Sequence, residues 1–330
     1  MGKTRHNKRQ YIRYAIIALL VVFLLSTALF LVNIWENQNN KYHGTDAGET
    51  FVEYEGKQYV LSENVETLLV MGLDKWEEDV ETDSYNNDQQ ADFIMLLVFD
   101  NESKKCTAIN INRDTITDVN VLGVNGNKIN TVKQQIAFSH TYGNGENVSC
   151  RNVSDSVSVL LNNIKVNHYI SLTMDAVSIL NDLVGGVSVV VEDDFSGIDE
   201  SLKQGETITL TGKQALSFVR TRQGLEDSSN IARIERQKQY MTALYEKVQE
   251  KMETDNEFVL NASLELGDYI VSDRSATQLE AILEKFNLYE FTEIKDIKGE
   301  SKKGEKYMEF HPAKDSIDEI VFDLFYEPKT

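Results

Sequence analysis

From Tyr14 to Trp35 the chain is apolar and carries no charge. About 20 such residues suffice to cross ~30 Å of hydrocarbon as a helix. Lys3, Arg5, Lys8, Arg9 and Arg13 precede the run, and a basic flank stays cytoplasmic. A cleaved signal peptide is the rival reading, but the run is long for one and no A-x-A-like site follows. The expected organisation is a cytoplasmic tail (1–13), a transmembrane signal-anchor helix (14–35) and everything else outside. Residues 36–66 are polar and read as a stalk, with room for a small strand over Phe51–Leu61.

At Thr67 the pattern changes. Leu68–Gly72, Phe93–Phe99 and Thr107–Asn112 are short aliphatic runs, as in strands buried on both faces. Asn152–Asn163 has helical spacing, with Val153, Val157, Leu160 and Leu161 on one side. Ser171–Leu183 predicts a second helix stopped by Gly185-Gly186, and Val187–Val191 a β-branched strand. A third helix over Ile231–Met252 carries Ile231, Ile234, Met241, Leu244, Tyr245 and Val248 as its core stripe. A helix at Ser275–Phe286, a strand near Tyr307–Phe310 and a helix at Ser316–Tyr326 follow. Strands alternating with helices predict one α/β domain over 67–330, a three-layer α-β-α arrangement around a central mixed β-sheet. Residues 253–330 complete it.

Charge narrows the partners. The chain has 33 Lys+Arg and 53 Asp+Glu. Without the five basic residues before Tyr14, 28 basic face 53 acidic residues, a formal −25. Such a surface repels nucleic acid, whose binding depends on neutralising phosphates. Cys106 and Cys150 both fall in the outer part, where disulfides are permitted. A bridge between them would contribute roughly 4 kcal/mol in the chain-entropy model; two buried thiols are the alternative. Five scattered histidines give no zinc spacing.

Against that field, Arg220, Arg222, Arg233 and Arg236 crowd into eighteen residues. Arg220 and Arg222 share a face if Phe218–Arg222 is a strand. Arg233, Arg236 and Gln237 lie on one helix face, and Asp227, Ser228, Ser229 and Asn230 can cap that helix. Guanidinium forks match phosphate oxygens in pairs, so a phosphate or pyrophosphate is the favoured ligand. The bland alternative is a solvated face of Arg–Glu pairs. Asp74 ends a strand, Asp92 opens the next, and Arg113 and Asp114 follow another. Two carboxylates at adjacent strand ends suit a Mg²⁺ completed by phosphate oxygens; helix caps or turn residues are the alternative reading of such aspartates.

In this order the segments resemble the LytR-CpsA-Psr family of cell-wall enzymes. The elements are GLD (Gly72–Asp74), AD (Ala91-Asp92), RDT (Arg113–Thr115), KIN (Lys128–Asn130), HY (His168-Tyr169), LVGGV (Leu183–Val187), G-x-x-AL-x-x-VR-x-R (Gly212–Arg222) and R-x-x-RQ (Arg233–Gln237). They span about Leu68 to Val248. The resemblance implies an enzyme anchored in the cell membrane with its large C-terminal domain outside. It would move a polyprenyl-pyrophosphate-linked glycopolymer, of teichoic acid or capsular polysaccharide type, onto peptidoglycan through a phosphodiester. It further implies that Asp74 and Asp92 hold Mg²⁺, and that Arg113, Arg220, Arg222 and Arg233 act in catalysis with Asp114 as a candidate base. Arg236, Gln237, Lys128 and Asn130 would bind substrate. A groove by the Ser171–Leu183 helix, with Leu172, Val177, Ile179 and Leu180, would take the lipid, although such a helix is more often plain core. The chain departs from the family at Gln89-Gln90, where an arginine is common, and at Asn230, where an aspartate is common. A non-catalytic surface protein binding polyprenyl phosphate or wall polymer, and a polyprenyl-pyrophosphate hydrolase, are the rival functions.

Overall fold

The computed structural model describes residues 51–75, 87–221 and 230–329. The chain divides into Met1–Glu53 and Tyr54–Thr330. The expected anchor over 14–35 lies outside the described residues, as do Arg222 and Asp227. Among the described residues, no helix is long and apolar enough to cross a membrane.

The first strands in chain order are β1 (Val52–Tyr54), β2 (Lys57–Leu61), β3 (Val65–Lys75), β4 (Gln89–Asp100) and β5 (Lys105–Asn110). Next come β6 (Ile116–Leu122), β7 (Lys128–Gln135), α1 (Asn147–Leu160), β8 (His168–Thr173) and α2 (Met174–Leu183). After β9 (Val187–Val190) and β10 (Thr207–Leu210), α3 (Gly212–Arg220), α4 (Asn230–Thr254) and α5 (Phe258–Glu265) follow. The chain continues through β11 (Ile270–Ser272), α6 (Ala276–Phe286), β12 (Glu290–Asp296), β13 (Gly299–Lys303), β14 (Met308–Pro312), α7 (Lys314–Phe325) and β15 (Tyr326–Pro328).

Six strands form the central sheet in the order β11-β8-β3-β4-β5-β12. β3 is parallel to β8 and β5 to β12, whereas β4 is antiparallel to both its neighbours, so the sheet is mixed. Side chains alternate along each strand. Leu69, Met71 and Leu73 therefore meet Val153 and Val157 of α1 and Ile317 and Val321 of α7 on one face. Leu68 and Val70 join Phe286 of α6 and Met241 of α4 on the other. Burial on both faces explains the unbroken aliphatic runs.

Local chemistry sets the element ends. The predicted glycine stop after α2 is realised with Gly185 at φ 85° and Gly186 at φ 94°. A Cβ at Gly186 would lie 2.7 Å from the Thr209 methyl, so only glycine fits there. Thr211 and Gln214 form a capping box that starts α3.

Four expectations change. Phe218–Arg220, expected in a strand, is helical: α3 carries the chain to Arg220, because the capping box and buried Ala215, Phe218 and Val219 at helical spacing outweigh local β-propensity. The helix expected from Ser171 begins only at Met174, since His168–Thr173 alternates and pairs with β3. The polar segment read as stalk gives way to domain by Tyr54, and β2 pairs with the C-terminal β15. The Cys106–Cys150 disulfide is absent: both thiols are free and buried. They belong to cores on opposite faces of the sheet, Cys150 with Val153 and Cys106 with Met95, so no rotamer change can join them. Burial pushes the Cys106 thiol up to about 12 and the Cys150 thiol up to about 11. Both cysteines should therefore stay silent to a thiol reagent in the native protein, and two thiols should titrate after denaturation without reductant. Fewer than two would contradict this arrangement.

Candidate active site

Because β3, β5 and β8 run the same way, Asp74, Asn110 and Thr173 lie at one end of the sheet, where β4 begins. A bulge sits there. Gly72 pairs with Phe93 but Leu73 pairs with Ala91, leaving Asp92 as the extra residue. Bulges re-aim a side chain, and Asp92 points between two guanidiniums.

Arg113, just past β5, reaches Asp92 with Nη1 at 2.5 Å, and its Nη2 donates to Gln90 Oε1 at 2.6 Å. Its Nε faces Asp114 at 3.6 Å. Arg233, on the first turns of α4, brings Nη1 to 3.7 Å from the other Asp92 oxygen. Arg220 ends α3 and grips Asp74 bidentately, Nε to Oδ2 at 3.0 Å and Nη2 to Oδ1 at 3.1 Å. Asp74 lies opposite Gln90 on the β3–β4 ladder, so the two ion-pair groups adjoin. The Arg220 side chain is 49 % exposed, whereas Arg233 is 5 % exposed. One arm faces solvent and the others are held in the interior.

The sequence-derived set divides. Asp74, Asp92, Arg113, Arg220 and Arg233 come together. Asp114 touches Arg113, but Gln135 Nε2 also donates to its Oδ1 at 2.9 Å, so it orients the arginine. Arg236 is a correction. Its Nε donates to Phe218 O at 2.9 Å, and its other nitrogens engage Asp193 and Thr221 O. Two of its nitrogens serve the end of α3 and the third holds Asp193, so the side chain braces the turn that presents Arg220. Gln237 likewise donates to Val219 O at 3.1 Å. Lys128 and Asn130 are also corrected: they lie exposed on β7, Lys128 pairing with Leu122 at the far end of the β6–β7 ribbon. Seven residues of strand separate Lys128 from Gln135 beside Asp114, roughly 23 Å. Gln90 was not singled out as a contact; its signal was its place two residues before Asp92.

An apolar cavity of about 120 Å³ opens beside this cluster. Val70, Leu172, Val177, Leu180, Met241 and Leu244 line it, with Gln237 on its wall. Ile179 instead packs into the neighbouring core. Gly72 also borders it, and a Cβ there would sit 2.9 Å from the Phe93 Cβ. Along α4, Arg233, Gln237, Met241 and Leu244 share one face. That stripe runs from charge to hydrocarbon, the gradient a phosphorylated lipid presents.

No group of three or more metal-ligating side chains occurs among the described residues. Asp74 and Asp92 are instead each engaged by arginine, Asp74 by Arg220 and Asp92 by Arg113 and Arg233.

Behind the site, His140 is fully buried, with Nδ1 3.2 Å from Gln89 O. Burial pushes its imidazole down to about 4. An unfolded histidine titrates near 6.5, so between those values the unfolded chain binds a proton that the native protein refuses. Stability is complete above about pH 6.5 and falls as pH drops towards 4. Between pH 7 and 4.5 this group should remove about 2 kcal/mol. Urea unfolding of wild type and His140→Leu at both pH values checks it; equal pH responses would contradict it.

The LytR_cpsA_psr family model matches residues 29–322. The polyisoprenyl-teichoic acid–peptidoglycan teichoic acid transferase TagU of Bacillus licheniformis is 25 % identical over 254 residues, covering 75 % of this chain and 73 % of the relative. The crystal structure of B. subtilis TagV matches with TM-score 0.61 at 18 % identity, covering 80 % of this chain and 97 % of that one. A structure of TagT bound to LIIa-WTA matches with TM-score 0.59 at 19 % identity, covering 85 % and 95 %. With its aspartate–arginine cluster set on that fold and the family model spanning most of its length, the chain belongs to the LytR_cpsA_psr family.

Proposed function

We propose that this chain is a membrane-anchored transferase that joins a polyprenyl-pyrophosphate-linked glycopolymer, of teichoic acid type, to peptidoglycan through a phosphodiester. The observation that carries this reading is the gathering of three guanidiniums around Asp74 and Asp92 beside an apolar cavity. The naming of its relatives as teichoic acid transferases supports it. The apolar run over 14–35 supports an anchor with the domain on the outer face.

The prenyl chain enters the cavity, leaving its pyrophosphate against Arg113, Arg220 and Arg233. The acceptor hydroxyl attacks the phosphorus that bears the glycopolymer. The bond to the bridging oxygen breaks, polyprenyl phosphate departs, and the hydroxyl proton ends on that phosphate. Phosphoryl transfer depends mainly on positioning and charge stabilisation. Arg113 and Arg233, locked by Asp92 and Gln90, supply fixed positive charge. Arg220 exchanges the Asp74 carboxylate for a phosphate, an exchange favoured because its exposed ion pair is weak. A Mg²⁺ held by Asp74 and Asp92 would neutralise phosphate charge and release the arginines from their carboxylates.

The test is to incubate purified protein with lipid-linked oligosaccharide, peptidoglycan fragments and Mg²⁺ and to weigh the products. A phosphodiester adduct is expected. Free phosphorylated sugar would instead mark a hydrolase, and unchanged substrate with retained binding a non-catalytic receptor.

A further inference from the structure

Away from the arginine cluster, a second cavity of about 490 Å³ lies between α1 and the β8–β11 edge of the sheet. Its size falls within the roughly 300–1,000 Å³ of ligand sites. Asn147, Arg151, Ser154 and Asp155 line it from one stripe of α1, at i, i+4, i+7 and i+8. Val153 and Val157 hold the opposite stripe in the core. Asn167 closes the wall from the loop before β8.

These side chains keep unused hydrogen-bonding capacity. Among the described residues Arg151 donates through Nε alone, to Asn147 O at 3.3 Å, which leaves both terminal nitrogens available there. Asp155 accepts, among the described residues, through Oδ2 alone, from Asn120 at 3.4 Å. Asn167 uses its oxygen on Thr67, leaving its amide NH₂. The Ser154 Oγ is buried and has no partner among the described residues, an arrangement that costs free energy. Asp273 lines the space too, its carboxylate turned to His168 and accepting from Tyr169 N–H, so a guanidinium, carboxylates, an amide and a hydroxyl offer both donors and acceptors there. That mixture suits a ligand bearing many hydroxyls and little net charge, and it suits a polyphosphate poorly.

We propose that this cavity binds a hydroxyl-rich glycan segment. Tyr169, on its wall, pairs with Leu69 of β3, five residues before Asp74, about 16 Å along the strand. A ligand that touches both sites must be an extended polymer, so the cavity holds glycan several sugars from the reacting phosphorus. This deepens the transferase reading and rests on it for its purpose, but binding itself requires no transfer. The glycan comes either from the peptidoglycan acceptor or from the donor polymer.

Binding is measured by calorimetry on the full chain, with peptide-free peptidoglycan glycan strands as one titrant and lipid-free donor polymer as the other. Saturable binding of either is expected, and the one that binds names the source. Arg151→Ala and Asp155→Asn should each weaken it about tenfold. Ser154→Ala should also weaken binding, yet raise the melting temperature of the unliganded protein by removing an unmet hydroxyl. Arg113→Ala, disabled in the other site, should bind like wild type, which separates failure of this site from failure of the transferase reading. Absence of binding by both glycans, or equal affinity across wild type, Arg151→Ala and Asp155→Asn, overturns the proposal. So does a Ser154→Ala protein that is less stable than wild type, because the hydroxyl would then be a structural contact.

Discussion

Replacing Arg113 by alanine should lower polymer transfer by about 10²–10³-fold, the effect of deleting one preorganised donor to a transition-state oxyanion. The residue is buried enough to be fixed by Asp92, Gln90 and Asp114, and its side chain is only 13 % exposed. Its charge is therefore in place before substrate arrives, with little reorganisation left for the reaction. The fold should survive, because Arg233 still faces Asp92. Arg113→Lys keeps the charge but not the planar fork that bridges Asp92 and Gln90, so it should recover only part of the rate. Product mass and initial rates with matched circular dichroism check both variants. Transfer at the wild-type rate by Arg113→Ala would remove this arginine from the mechanism.

Arg236→Ala should act on stability. The guanidinium is 5 % exposed and bridges Asp193, Phe218 O and Thr221 O. Its loss strands a carboxylate and two carbonyls with little water to replace the donors. Removing one partner of a buried ion pair costs about 3 kcal/mol or more. For a domain of this size that lowers the melting temperature by roughly 6–12 °C. Arg220→Ala, whose pair with Asp74 is half exposed, should shift stability by under about 1 kcal/mol yet impair transfer. Scanning calorimetry and the transfer assay on both variants separate bracing from chemistry. Equal melting temperatures for Arg236→Ala and wild type would refute the bracing role.

The strands at the centre were legible because burial on both faces leaves an unmistakable signature, as in Leu68–Gly72 and Phe93–Phe99. Helices α1, α4 and α6 were legible from one-sided spacing. The segment around Arg220 was not, since VRTR has β-like local chemistry and its helix is fixed by a cap nine residues earlier at Thr211. The cysteines misled for a related reason: a permissive compartment and a plausible loop length do not reveal which side of the sheet each thiol faces. Spacing alone could place Arg233 and Arg236 on a common helical face, but not assign them different duties. Arg233 turns to Asp92 and Arg236 to the carbonyls of α3, a division set by where α3 ends against α4. The Lys128–Asn130 segment was assigned by its company in the motif order, and the β6–β7 ribbon carries it away from the cluster.

The most direct test is the affinity of the purified protein for a short-chain prenyl pyrophosphate, measured beside the matching monophosphate and in Arg113→Ala and Arg220→Ala. Three convergent guanidiniums predict tighter binding of the pyrophosphate, by about tenfold or more, and a loss of that preference in each variant. Equal affinity for the two lipids, unchanged by either substitution, would contradict it.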